Sequence, residues 1–128
     1  MKILLDTHVF LWFISGDERL SPKLLEMLRD PENEVFLSVV SVWEAIIKYQ
    51  LGKLPLPEPP EFFLPRQREQ HLIASLAVDE ASVTHLAALP LLHRDPFDRL
   101  LVSQALRHDM ILATVDETLK TYPVRTLT

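Results

Sequence analysis

Four acidic residues lie where short apolar segments give way to helical ones in this chain of 128 residues: Asp6, Glu44, Asp98 and Asp116. Carboxylates that gather at one place repel one another and raise one another's pKa values. A hard divalent cation relieves that repulsion, and Mg²⁺ typically keeps several waters and leaves room for a phosphate. A pair of such ions can activate water and stabilise the leaving oxygen of a phosphodiester. These residue types therefore suggest metal-assisted phosphodiester chemistry.

The acids are positioned by apolar runs that alternate with helix signals. The predicted strands cover residues 2–5, 34–37, 72–78 and 110–114, with a further strand beginning at 124. The predicted helices cover residues 7–14, 22–29, 61–71, 79–89 and 96–108, one from 38 or 41 to 51, and a short last helix from 116. This alternation predicts an α/β fold with a parallel sheet and helices on both faces. All four acids then lie at the carboxyl edge of the sheet, where such folds form sites.

Each acid also has a structural interpretation. Asp6 and Asp116 would cap the helices that follow them, and Ser41-Val-Trp-Glu44 matches a capping box. Asp95, directly before a proline, is a favourable N-cap, and Asp98 would be stabilised by the helix dipole. Taken singly, each acid is better explained by such a role, so position alone does not decide.

Composition excludes several classes of protein. The chain has no cysteine, which excludes disulfides, thiolate zinc sites and cysteine nucleophiles and predicts a reducing cytoplasm. Its net charge of −5 argues against a protein that holds nucleic acid by a basic surface, but not against a nuclease whose carboxylates carry cations. The length fits a single domain over residues 1–128. The longest apolar run, residues 9–14, is too short to cross a membrane, and no signal peptide is expected.

Other polar residues have less specific signals. The five histidines lack the spacing of a zinc site, and neither His8 nor His93 is expected to act directly in catalysis. Lys48 lies one helical turn after Glu44, so it is either an ion-pair partner or a contact for substrate phosphate. Arg99 is either a phosphate contact or a surface charge.

Four sequence blocks resemble the PIN-domain ribonucleases, and in particular the VapC-type toxins of bacterial toxin–antitoxin pairs. The resemblance spans nearly the whole chain, and the blocks come in the family order. Its most specific part is the Asp-Pro-Phe-Asp-Arg sequence. The blocks are Ile3-Leu-Leu-Asp-Thr-His8, Ser41-Val-Trp-Glu-Ala-Ile-Ile-Lys48, His93-Arg-Asp-Pro-Phe-Asp-Arg-Leu-Leu-Val-Ser-Gln-Ala105 and Leu112-Ala-Thr-Val-Asp116.

The resemblance implies a three-layer α/β/α fold with a mostly parallel sheet of four to five strands, and RNA cleavage that depends on Mg²⁺ or Mn²⁺. The family's acidic metal-binding and catalytic positions fall on Asp6, Glu44, Asp98 and Asp116. Thr7 and Thr114 match small hydroxyl residues that hold a carboxylate or a metal-bound water. The third ligand is expected at Asp98, whereas Asp95 is expected to cap the helix and could also bind a metal-bound water.

The resemblance also implies partners. These are a homodimeric second copy, an RNA substrate and a cognate antitoxin whose tail blocks the site, with operator DNA contacted only through the antitoxin. The main alternative is a catalytically inactive PIN-like scaffold for protein contacts, against which the presence of all four acids argues. A phosphatase or a receiver domain is disfavoured because position 8 is His8 rather than a second acid, and the chain has no glycine-rich phosphate loop.

Overall fold

The computed structural model describes residues 1–128, and its central feature is a five-stranded sheet in the order β3-β2-β1-β4-β5. All neighbouring strands are parallel, which confirms the predicted α/β fold. The strands are β1 (Lys2–Leu5), β2 (Glu34–Ser38), β3 (Ala74–Leu76), β4 (Ile111–Ala113) and β5 (Thr126–Leu127). The helices are α1 (Thr7–Ser15), α2 (Pro22–Arg29), α3 (Val39–Gln50), α4 (Pro60–Gln70), α5 (Glu80–His85) and α6 (Pro96–Arg107).

Strand β1 lies at the centre of the sheet. Its last residue, Leu5, pairs with Leu37 of β2 on one side and with Ala113 of β4 on the other. The chain moves outward from β1 to β3 and then returns to the opposite side of β1 for β4 and β5. The order therefore reverses between β1 and β4, and open α/β sheets form their sites outside the strand ends at such a point. The residues that follow β1 and β4 lie at this crevice.

The two faces of the sheet carry separate hydrophobic clusters. Ile3 and Leu5 of β1 pack in a cluster with α1 and α2, whereas Leu4 between them packs in a cluster with α6. This alternation is the two-residue period of a strand buried on both faces. Burial of each such side chain contributes roughly 2 kcal/mol, so helices on both faces are required. No helix combines the length and the apolar character needed to cross a bilayer.

Polar caps fix where the site-bearing helices begin. Ser38 caps α3 by accepting a backbone N–H with its hydroxyl. The capping box expected at Ser41 and Glu44 is wrong, because α3 has already begun and both side chains are buried inside the fold. Asp95 caps α6 as predicted.

Two elements are much shorter than the sequence predicted, and the bounds of β4 and β5 differ from the prediction by one or two residues. The strand expected over residues 72–78 is reduced to β3, because Leu72 adopts a φ of 57° in the turn after α4. The helix expected over residues 79–89 ends at His85 and continues only as a 3₁₀ turn, Leu86–Ala88.

Candidate metal centre

Asp6 follows β1 directly and is 4% exposed. Its Oδ1 accepts the backbone N–H of Val9 at 2.7 Å, so the carboxylate caps α1 while it lies at the crevice. Burial raises the pKa of Asp6, and the charge of Asp116 adds to that effect. A hydrogen bond with Thr114 and the Val9 N–H act in the opposite direction, but the pKa stays above its ordinary value.

Glu44 lies on the buried side of α3 and is held at both carboxylate oxygens. The Thr7 hydroxyl donates to Oε1 at 2.7 Å, and the Lys48 ammonium contacts Oε2 at 2.6 Å. Burial acts to lower the pKa of Lys48, but Glu44 and the charges of Asp95 and Asp98 raise it overall. Lys48 is thus the helical ion-pair partner of Glu44.

Asp98 lies in the first turn of α6, and the charges of three other acids act on its carboxylate. Burial raises its pKa to about 7, and the charges of Asp95, Glu44 and Asp6 add to the effect, while His93 opposes it. Three further carboxylates are therefore close enough to disfavour the ionised form of Asp98. The predicted acids of β1, α3 and α6 are thus near enough for their charges to interact, whereas the group whose ligating atoms all lie within 4.8 Å of one another is His93, Asp98 and Asp116.

Asp116 follows β4 and completes the group of acids. The helix expected to begin at Asp116 is absent, since the next helical element is a 3₁₀ turn, Leu119–Thr121. The Asp116 Oδ1 instead accepts the backbone N–H of Thr118 at 2.8 Å in a local turn. Burial acts to raise the pKa of Asp116, but a hydrogen bond from His93 and backbone N–H groups lower it overall.

His93 is the residue at this site that the sequence did not predict. Its Nε2 lies 3.1 Å from Asp116 Oδ2 and 3.4 Å from Asp98 Oδ2. One ligating atom from each of these three residues lies within 4.8 Å of the other two. The sequence signal for His93 was its position two residues before Asp95, in the block that contains Asp-Pro-Phe-Asp-Arg. A search for the histidine spacing of zinc sites does not detect this signal.

Two residues beside the acids make structural contacts. The Asp95 carboxylate accepts the backbone N–H of Phe97 at 2.8 Å as the cap of α6. The Arg99 guanidinium donates to the backbone oxygens of Leu86 and Leu89, at 3.3 Å each. Arg99 therefore holds the segment before α6, a contact that neither sequence interpretation, phosphate contact or surface charge, included.

Comparison with known proteins adds the family to this geometry. The PIN domain family matches residues 3–124, a range that contains all the acids of the site. The chain belongs to the PIN-domain family. Ribonuclease VapC16 of Mycobacterium tuberculosis is 39% identical to this PIN domain over 62 residues, which are 48% of this chain and 44% of that protein. Less than half of the relative's length is therefore matched.

Two solved structures share the fold of this PIN domain. VapBC2 from Rickettsia felis, bound to a DNA fragment from its promoter, superposes with a TM-score of 0.74 and 18% identity over 99% of this chain and 98% of that one. A toxin–antitoxin complex from Klebsiella pneumoniae gives a TM-score of 0.64 and 18% identity over 98% and 96% of the two chains. At these identities the likeness establishes the fold alone.

The donor set of this PIN domain fits a hard divalent cation. Carboxylate oxygens predominate, and these are the ligands that Mg²⁺ and Mn²⁺ prefer. Lys48 forms its ion pair with Glu44, so its ammonium is bound directly to only one of the acids. Burial and the neighbouring acids raise the pKa of Asp98, so a cation bound there would favour its ionised form. The acids that would hold the ion are Asp6, Asp98 and Asp116, with Glu44 beside them.

Proposed function

We propose that this PIN domain is a metal-dependent endoribonuclease and the toxin component of a toxin–antitoxin pair. The observation that carries the proposal is the group of carboxylates around Asp98, whose pKa is raised to about 7 by burial and by the charges of Asp95, Glu44 and Asp6. A surface that served only protein contacts would gain nothing from this repulsion, which costs folding stability. A site that binds a cation uses the same repulsion to favour the bound state.

The chain's own residues prepare this site for a phosphodiester. Thr7 donates to the Glu44 carboxylate, and the Thr114 hydroxyl accepts the backbone N–H of Asp116, so these parts of the site are held before any ligand arrives. Asp98 must lose its proton to bind a cation, so loading the site releases a proton. A bound Mg²⁺ or Mn²⁺ would supply Lewis-acid activation of water and charge stabilisation of the leaving oxygen. No histidine is required as a general base.

The partners follow from the solved neighbours, which are a VapBC pair on promoter DNA and a toxin–antitoxin complex. We infer a cognate antitoxin for this chain, with operator DNA contacted through the antitoxin. The net charge of −5 supports DNA contact through the antitoxin, because the chain lacks the positive charge that direct DNA binding needs. The chain is expected to act as a homodimer in the cytoplasm, with RNA as its substrate.

The test is cleavage of a structured RNA by the purified chain, with Mn²⁺, with Mg²⁺ and with a chelator. The variant is Asp98→Asn, which removes a carboxylate from the site and preserves its shape. The matched control is Asp109→Asn, the same change in the turn before β4, at the opposite edge of the sheet. The Asp109 side chain is 98% exposed, and asparagine tolerates its φ of 54°.

Metal-dependent cleavage by the wild type and the control, reduced at least 100-fold in Asp98→Asn, is the expected result. Equal cleavage by both variants would defeat the proposal. Folded protein that binds no cation and cleaves none of a panel of transfer, ribosomal and messenger RNAs would instead favour the scaffold interpretation.

A further inference from the structure

We propose that His93 is a positioning residue of the metal centre, a fixed hydrogen-bond donor to the metal-binding carboxylate of Asp116, beside Asp98, and not itself a metal ligand. The inference rests on the proposed function, since it assigns a role within the same site. It is carried by the contacts on both nitrogens of the imidazole ring, which together decide where its proton lies.

The backbone of His93 is anchored from across the fold. Its N–H donates to the Tyr122 hydroxyl oxygen at 3.0 Å, and Tyr122 is buried in the cluster beneath α6. His93 and Tyr122 are 29 residues apart in sequence, so the contact ties the segment before α6 to the end of the chain. The imidazole therefore starts from a fixed backbone position beside the acids.

The Nδ1 atom of His93 faces a donor. The backbone N–H of Asp95 points at Nδ1 over 3.0 Å, and an N–H can only donate. Nδ1 must therefore present its lone pair, which in a neutral imidazole places the single ring proton on Nε2. Because the Asp95 side chain simultaneously caps α6, the geometry that begins the helix also fixes the tautomer of His93.

The opposite arrangement is the one that metal-ligating histidines use. Such a histidine donates its second ring N–H to a carboxylate or carbonyl oxygen, which leaves a lone pair free for the metal. Here Nε2 directs a proton at Asp116 and lies near Asp98. Asp116 is thus held at both oxygens, by His93 on Oδ2 and by the Thr118 N–H on Oδ1, and its remaining lone pairs are oriented for a cation.

The first test determines which ring nitrogen of His93 carries the proton. Long-range ¹H–¹⁵N correlation spectra of metal-free protein, labelled with ¹⁵N-histidine, should show His93 as the Nε2–H tautomer. Pulsed electron paramagnetic resonance with Mn²⁺ bound should show no directly coordinated imidazole nitrogen. His93→Ala identifies the His93 signals, and His85→Ala, on α5 outside the site, is the control. A proton on Nδ1, or a coordinated nitrogen that disappears in His93→Ala, would overturn the inference.

The second test measures Mn²⁺ affinity by calorimetry. Loss of a residue that orients metal ligands typically weakens binding by about tenfold or more, which is the result expected for His93→Ala. His93→Gln keeps an N–H donor of similar reach and should recover most of the affinity, while His85→Ala should match the wild type. Wild-type affinity in His93→Ala would overturn the inference alone. Unchanged affinity in Asp98→Asn, or no binding by the wild type, would overturn the metal centre together with it.

Discussion

Replacing Asp98 by asparagine should stabilise the metal-free protein while it weakens metal binding. The ionised Asp98 carboxylate is 19% exposed and is repelled by Asp95, Glu44 and Asp6. Asparagine has the same shape and no charge, so Asp98→Asn removes both the repulsion and the cost of burying that charge. Site acids that serve a ligand are thus expected to reduce stability when the ligand is absent.

The size of the effect follows from the pKa of Asp98. The difference between the ordinary value of 3.8 and about 7 corresponds to roughly 4 kcal/mol of folding free energy. Solvent access to the side chain screens part of this, which leaves about 2 kcal/mol. Losing the favourable interaction of a carboxylate with the start of α6 costs only about 0.5 kcal/mol. The net change from Asp98→Asn is therefore stabilising.

The pH dependence has a defined sign. The folded-state pKa of Asp98 is raised, so below about pH 4 the carboxyl is protonated in both states and carries no penalty. As pH rises from about 4 to about 7 the unfolded state loses the proton first and the wild type loses stability. Above about pH 7 both states are ionised and the penalty stays constant. The advantage of Asp98→Asn should therefore grow from pH 5 to pH 8.

Urea unfolding with a chelator, at pH 5 and at pH 8, measures this difference against Asp109→Asn as the control. Saturating Mn²⁺ should then reverse the order, because a ligand at 100 times its dissociation constant adds about 2.7 kcal/mol to the protein that binds it. A metal-free Asp98→Asn protein that is less stable than the wild type at pH 8 would refute the reasoning. So would a difference that is the same at both pH values.

Three further substitutions test the supporting contacts by urea unfolding. Thr7→Val removes the hydroxyl bonded to Glu44 and should destabilise by about 2 kcal/mol, the value of a hydrogen bond to a buried charge; no change would mean that Glu44 is held by other groups. Lys48→Met should destabilise the protein by about 1 to 2 kcal/mol, because it leaves the Glu44 carboxylate without its ion-pair partner. Adding Glu44→Gln should recover most of that loss, whereas additive losses would show that the two residues are not coupled. Ser38→Ala should lose about 2 kcal/mol, because the hydroxyl both caps α3 and donates to the buried Gln104 amide oxygen, and Ser38→Gly should lose about 1 kcal/mol, because glycine is tolerated at the cap; equal losses would argue against the capping role.

The convergence of the acids could be predicted because it depends mainly on local signals. Apolar runs predicted β1 and β4, and the Asp95-Pro96 pair predicted the start of α6. Asp6 and Asp98 were therefore expected at the same edge of a parallel sheet. The prediction for Glu44 did not depend on the first residue of α3, because a helix that begins at Ser38 or at Ser41 places Glu44 near that edge in either case. The start at Ser38, one of the two that the sequence allowed, is confirmed, and only the capping box at Ser41 is wrong.

The contacts of His93, Arg99 and Asp116 could not be predicted in the same way. His93 is placed by Tyr122 and by the backbone of Asp95, and neither contact leaves a periodic pattern in the sequence. Arg99 bonds backbone oxygens in a loop whose path depends on the early end of α5. An aspartate after a strand is typical of a helix cap, but the Asp116 carboxylate accepts the Thr118 N–H within a local turn. Long-range and loop contacts decide each of these cases.

Diffraction from crystals grown with Mn²⁺, with data collected at a wavelength where manganese scatters anomalously, tests the central claim most directly. The account predicts an anomalous peak in the crevice between the ends of β1 and β4, in contact with carboxylates from Asp6, Asp98 and Asp116, and no such peak in Asp98→Asn crystals. A wild-type crevice without a peak at saturating Mn²⁺, or a peak that persists in the variant, would contradict it.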